Sequence, residues 1–134
     1  MKLLLVRGIP GSGKSTYAKQ WAEENNAVHV EADMYFVDAD NVYKYNHAKI
    51  GAAHDWCQLK TAKALEEGHN CVVSNTFVKR WELEPYFKMA KVLGAEVSLY
   101  VCRGHWLNVH GVPQHVLDRM AQNFEEWESS HDNI

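Results

Sequence analysis

The sequence predicts a single α/β domain: a short parallel sheet of about four to five strands with helices on both faces. Three observations predict it. Short apolar runs alternate with longer stretches of helical periodicity, the order that a parallel sheet with crossover helices requires. The first apolar run leads straight into Gly8-Ile9-Pro10-Gly11-Ser12-Gly13-Lys14-Ser15-Thr16, of the form G-x-x-x-x-G-K-[ST], and a helix-compatible run follows. The 134 residues suit one domain, spanning 1–134, that buries roughly two-thirds of its unfolded surface.

The elements follow in order. Lys2 to Arg7 reads as a buried strand, and Lys14 to Asn25 as a helix with Tyr17, Ala18, Trp21 and Ala22 on one face. Residues 27–31 alternate as a second strand, and Ala32 to Phe36 lie at its carboxyl end. Residues 37–46 read as an irregular, substrate-facing loop. A helix from about Ala48 to Glu67 is expected to turn Ala52, Trp56, Leu59, Ala62 or Lys63 and Leu65 inward, with Gly68 as its stop. Cys71 to Ser74 is a short apolar third strand that leaves through Asn75, Thr76 and Phe77. Glu82 to Leu93 reads as a helix, with Pro85 in its first turn and Gly94 at its end. Glu96 to Val101 alternates as a fourth strand. A glycine- and histidine-bearing lid at about 102–112 precedes a last helix, opened by Pro113 and running to about Glu128, with Val116, Leu117, Met120, Phe124 and Trp127 on one side. The tail, 129–134, is polar.

Composition narrows the function classes. The net charge of −3 offers no global attraction to a polyanion, so any nucleic-acid contact is local and short. Three cysteines without a C-x-x-C pair suit a reducing cytosol better than a disulfide framework or zinc site. Eight histidines are scattered without a ligand motif. The apolar amino-terminal run is too short for a membrane span or signal peptide. Nothing in the sequence specifies an oligomeric state.

In a parallel α/β sheet, ligands bind beyond the carboxyl ends of the strands. The first such end carries the glycine-rich segment. Gly8, Gly11 and Gly13 let the backbone wrap a phosphate, with Ser12 and Thr16 in the same loop. Lys14 is placed to reach the β- and γ-phosphates of a nucleoside triphosphate, and Ser15 to ligate Mg²⁺. The second end carries Asp33, a candidate general base for an acceptor hydroxyl, whose structural alternative is a turn cap. The third carries Asn75 and Thr76, where many phosphate-loop proteins hold a metal-binding acid. Asn75 brings no charge and suits a turn cap as well as a substrate contact. The fourth carries Arg103, and Arg119 follows in the last helix. Both are candidates for the transition-state cation, and solvated surface charge is their alternative. Tyr35, Phe36, Tyr43 and Tyr45 are candidates to stack a base, or to pack the core. His110 is a candidate hydrogen-bond donor from the lid.

Taken together, residues 7–16, Glu31-Ala32-Asp33-Met34-Tyr35-Phe36, the Ala53-His54 pair, Val73-Ser74-Asn75-Thr76, the Pro85-Tyr86 pair and Asn108-Val109-His110-Gly111-Val112-Pro113 occur in an order that resembles a known group. It is that of the small P-loop kinases of the viral 5′-polynucleotide kinases and their zeta-toxin-like and NEDD4-binding-protein-2-like cellular relatives. The resemblance implies ATP and Mg²⁺ as cofactors, Asp33 as general base, Lys14 and Ser15 as phosphate and magnesium ligands, and a cytoplasmic location (host-cell cytoplasm for a viral protein). It also implies transfer of the γ-phosphate of ATP, often to a 5′-hydroxyl of DNA or RNA. The departures fall on the acceptor side. Met34 stands where the group often has a second Asp, Phe36 where the viral enzymes carry a substrate-binding arginine, and Asn75 in place of an acid. The lid is short and poor in arginine.

The reading that these residues favour is an ATP-dependent kinase acting on a nucleic-acid hydroxyl, foremost a polynucleotide 5′-hydroxyl. A second is a kinase of a hydroxymethylated base, nucleoside or other small alcohol. A third is an ATP-binding module without catalysis.

Overall fold

The computed structural model of the chain describes residues 1–103 and 114–124. The strands are β1 (Lys2–Arg7), β2 (Val28–Val30), β3 (Cys71–Asn75) and β4 (Glu96–Val101). The helices are α1 (Lys14–Asn25), α2 (Ile50–Glu66), α3 (Glu84–Leu93) and α4 (Gln114–Asn123). All strand pairings are parallel, in the order β2-β3-β1-β4. Leu5 of β1 stands beside Val73 on one side and Leu99 on the other. Every strand therefore ends at the same edge, which is where the sequence puts its chemistry.

The alternation of β1 divides the core between two faces. Leu3 and Leu5 point one way, with Cys71 and Val73 of β3, and are covered by α2 and α3 through Ala53, Cys57, Leu65, Tyr86, Phe87 and Ala90. Leu4, Val6 and Val72 point the other way and are covered by Ala18, Tyr17, Trp21 and Ala22 of α1. The α1 face is the one the sequence predicts. The helix stops also agree: Gly94 ends α3 in the left-handed region at φ 74°. At the end of α2, Gly68 takes φ 83° while Gly68 N–H and His69 N–H donate to Leu65 O and Ala64 O, both at 2.9 Å.

The inner face of α2 needs correction. Trp56 is half-buried and Leu65 buried as expected, but Ala52 and Lys63 are exposed, Ala62 is only half-buried and Leu59 is 72% exposed. The buried stripe is Ala53, Cys57, Thr61, Ala64 and Leu65. Small and weakly polar side chains fit closest to the sheet here. The Thr61 hydroxyl is satisfied within the helix, donating to Cys57 O at 2.8 Å.

Smaller differences come from short turns. Residues 32–36 form a 3-10 turn after β2, and residues 47–49 form another that delays α2 to Ile50. In the loop between them, Val37 and Tyr43 form an antiparallel bridge. The lid from Gly104 to Val112, with His110, lies outside the described residues, as do Trp127, the expected end of the last helix and the polar tail. The three cysteines are buried free thiols. Among the described residues no helix is long and apolar enough to cross a membrane.

Candidate active site

A cleft of about 500 Å³ opens at the carboxyl edge of the sheet, within the size range of small-molecule sites. Lys14 and Ser15 form one side, and Glu31, Asp33, Ser74, Asn75 and Thr76 line its floor. Phe36, Tyr43, Tyr45, Ile50, Val116 and Met120 give it an apolar flank.

The glycine-rich segment is built as an anion cradle. Gly11 and Gly13 hold φ of 83° and 90°, the left-handed region where a side chain is strained. Gly8 is required for a different reason: a Cβ there would lie 2.3 Å from Ser12 Oγ and 2.8 Å from Cys102 O. Gly13 caps α1 without a side-chain bond, so the first-turn N–H groups and the positive end of the helix dipole stay available to an anion. Ser12 Oγ is buried with no hydrogen-bond partner among the described residues, as a group awaiting a ligand would be. Burial lowers the pKa of the Lys14 ammonium, and the nearby carboxylates of Glu31 and Asp33 offset only part of that lowering.

Arg7 fixes the segment from below. This wholly buried last residue of β1 donates from Nε and Nη2 to Phe77 O at 3.1 and 2.6 Å, and from Nη2 to Val78 O at 3.3 Å. Its guanidinium also lies 4.0 Å from the centre of the Phe124 ring. Phe77, at φ 47°, holds a backbone conformation that non-glycine residues seldom adopt, and the Arg7 bonds secure it.

Asp33 sits in the 3-10 turn after β2, half-buried, and accepts a hydrogen bond from Tyr43 Oη at 3.2 Å. Burial and the Asp33 carboxylate raise the Tyr43 phenol to about 12, so it remains a donor at neutral pH. Asn75 has two structural partners. Its Oδ1 accepts from Ala32 N–H at 2.9 Å, and its Nδ2 donates to Cys57 Sγ at 3.5 Å. The residue clamps the turn that carries Asp33 while still lining the cleft.

Glu31 was not singled out by sequence reasoning. It follows β2, one strand period after His29, which puts both side chains on the α1 side of the sheet. Ser74 Oγ donates to Glu31 Oε1 at 2.7 Å, and His29 Nε2 lies 3.0 Å from the same oxygen. Ser15 lines the cleft with it, and its side chain favours the charged carboxylate. Burial alone would raise the Glu31 pKa, but the bonds from His29, Ser15 and Ser74 outweigh it and hold the carboxyl at about 2. The available signal was the E-x-D spacing of Glu31 and Asp33 at a strand exit.

The other predicted residues divide. Phe36 is buried on the cleft flank, where its ring meets those of Tyr43 and Tyr45 at 6.3 and 5.1 Å. Thr76 lines the floor, and its carbonyl accepts from Gly8 N–H at 3.3 Å. Tyr35 packs against Phe36 and Trp56 and does not line the cleft. Thr16 is exposed in the first turn of α1. Arg103 and Arg119 are exposed, and neither lines the cleft; α4 turns Val116 and Met120 to it instead. Among the described residues no group of three or more His, Cys, Asp or Glu is gathered as a metal cage. Ser15 nevertheless supplies a hard oxygen donor that suits Mg²⁺, which is usually held by few protein groups together with phosphates and water, and the Glu31 carboxylate lines the cleft with it.

Comparison with known proteins agrees with this fold. Residues 3–127 match the model of a family described as an AAA domain. The chain is 29% identical over 138 aligned positions to human NEDD4-binding protein 2, covering 95% of this chain and 8% of that protein. Its fold superposes on a chain of the Pnkp1/Rnl/Hen1 RNA repair complex with a TM-score of 0.63 and 21% identity, over 98% of this chain and 42% of the other. It also superposes on a gluconokinase from Sinorhizobium meliloti 1021 with a TM-score of 0.62 and 17% identity, over 98% and 79%.

Proposed function

This chain belongs to the AAA-domain family, and from that premise we propose that it is a polynucleotide-kinase-like P-loop enzyme that transfers the γ-phosphate of ATP to a nucleic-acid hydroxyl, foremost a polynucleotide 5′-hydroxyl. The observation that carries the reading is that Lys14 and Ser15, at the head of α1, line the same cleft as Asp33, after β2. A phosphate cradle and a carboxylate that face one cavity are the two halves of a phosphotransferase.

In this reading the loop N–H groups and Lys14 hold the β- and γ-phosphates. Asp33 orients the acceptor hydroxyl and takes its proton as the oxygen bonds to the γ-phosphorus and ADP departs. Tyr43 holds Asp33 in place. Mg²⁺, when bound at Ser15, supplies neutralisation of the developing phosphate charge. The aromatic flank of Phe36, Tyr43 and Tyr45 suits the base next to the acceptor hydroxyl.

A second reading has one observation in its favour. Lys14 is the only lysine or arginine among the described lining residues, so a phosphate on the acceptor has no cation of its own there. That favours a less charged acceptor: a nucleoside, a hydroxymethylated base or another small alcohol. The fold does not choose between them, since a sugar kinase and an RNA repair complex both share it. The test is γ-labelled ATP offered to 5′-hydroxyl DNA and RNA, hydroxymethyl-base DNA, nucleosides and small polyols. Transfer to oligonucleotide ends supports the first reading, and transfer confined to small acceptors supports the second. ATP binding with no transfer to any acceptor contradicts both and leaves the binding module.

A further inference from the structure

We propose that Glu31 is the positioning carboxylate of the metal site, accepting the Ser15 hydroxyl proton in a hydrogen bond so that the Ser15 oxygen is left to ligate Mg²⁺. The inference rests on the nucleotide reading above and deepens it. A serine that ligates a metal must direct its proton elsewhere, and the group that receives it fixes the ligand's orientation.

Three observations converge on Glu31. First, its carboxylate lines the same cleft as Ser15 and Lys14, where the Ser15 side chain helps to hold its charge. Second, the end of β3 supplies no acid. Asn75 has both ends of its amide occupied by Ala32 N–H and Cys57 Sγ. Ser74 offers its own proton to Glu31 at 2.7 Å, so β3 supports the carboxylate of its neighbour. Third, a bound triphosphate would add negative charge beside the carboxylates already there. Glu31 and Asp33 place two carboxylates around a single ammonium, Lys14, in a cleft that would also take a triphosphate. Like charges gathered at partial burial repel unless a divalent ion joins them. His29 Nε2, 3.0 Å from Glu31 Oε1, helps hold that carboxylate in place.

Two effects of opposite sign follow, and a merely structural role for Glu31 would not produce both. Removing its charge should ease the binding of metal-free nucleotide, and it should also diminish what Mg²⁺ adds. The experiment is calorimetric titration of ATP into wild type and Glu31→Gln, each with and without Mg²⁺, with folding checked by circular dichroism. The expected result for Glu31→Gln is metal-free affinity equal to or tighter than wild type, and a Mg²⁺-dependent gain reduced by ~10-fold or more. A gain within about twofold of wild type overturns the proposal, since outer-shell partners ordinarily matter by ~10–100-fold. Should Glu31→Gln fail to fold, Ser74→Ala carries the test. It keeps the carboxylate but cuts one of its bonds, so the gain should fall by roughly threefold or more, about the value of one hydrogen bond. An unchanged gain in that variant overturns the proposal equally. Wild type that binds no ATP under either condition sinks the nucleotide reading itself. Wild type with a full Mg²⁺ gain that Glu31→Gln retains sinks the role of Glu31 alone.

Discussion

Gly8 shows how much of the site depends on single atoms. Its φ is not the constraint; the close approach of Ser12 Oγ and Cys102 O is. Gly8→Ala must therefore push the loop off the end of β1, and its nucleotide affinity should fall at least ~10-fold while the melting temperature changes by only a few degrees. Calorimetric titration with ATP checks this, and affinity within twofold of wild type would contradict it. Tyr43 acts on Asp33 through one hydrogen bond of 3.2 Å. Tyr43→Phe should lower kcat by roughly fivefold, the worth of about 1 kcal/mol, with ATP affinity unchanged. Steady-state kinetics beside a binding titration separates the two. Lys14, Ser15 and Asp33 were legible as residue types at strand ends. Glu31 was not, because its significance lies in partners 16 and 43 residues away in sequence, Ser15 and Ser74. Asn75 read equally as a turn cap or a substrate contact, and the fold uses it to hold the Ala32 backbone.

The strands and helices were legible wherever hydrophobic period and punctuation agreed. Gly68 and Gly94 ended α2 and α3, and the alternation in β4 appears as its alternating exposure. The α2 face was not, because side-chain size misled. Leu59 is the larger apolar residue, yet closeness to the sheet admits Ala53, Cys57 and Thr61. The two faces differ in a measurable way. Leu59→Lys should alter stability by no more than about 0.5 kcal/mol, as exposed substitutions do. Ala53→Leu, at a site with no exposed surface, should cost about 1–3 kcal/mol by overpacking. Urea unfolding of both variants checks the face, and the reverse ranking would contradict it. The turn at 32–36 belongs to the same scale. It buries Ala32 and Phe36 while presenting Asp33, so core packing and site placement are one local decision.

At the scale of the molecule, the parallel order β2-β3-β1-β4 brings all strand ends to one edge and joins stability to the site. Glu31 makes the link testable. Its folded pKa of about 2 lies below the ordinary 4.5, so the folded state binds its proton more weakly than the unfolded chain does. The stabilisation is fully present above about pH 4.5 and is lost as pH falls toward about 2. It amounts to on the order of 3 kcal/mol. The stability difference between wild type and Glu31→Gln should shrink as pH is lowered through that window, as unfolding curves at a series of pH values would show. The central claim is that Lys14 and Asp33 are the donor and acceptor halves of one transferase. The most direct test is to measure ATP affinity and γ-phosphate transfer in the same preparations of wild type and Asp33→Asn, using the acceptor that wild type prefers. The account predicts affinity within about threefold and transfer slower by ~10²–10⁴-fold in the variant. Transfer at the wild-type rate by Asp33→Asn would contradict it.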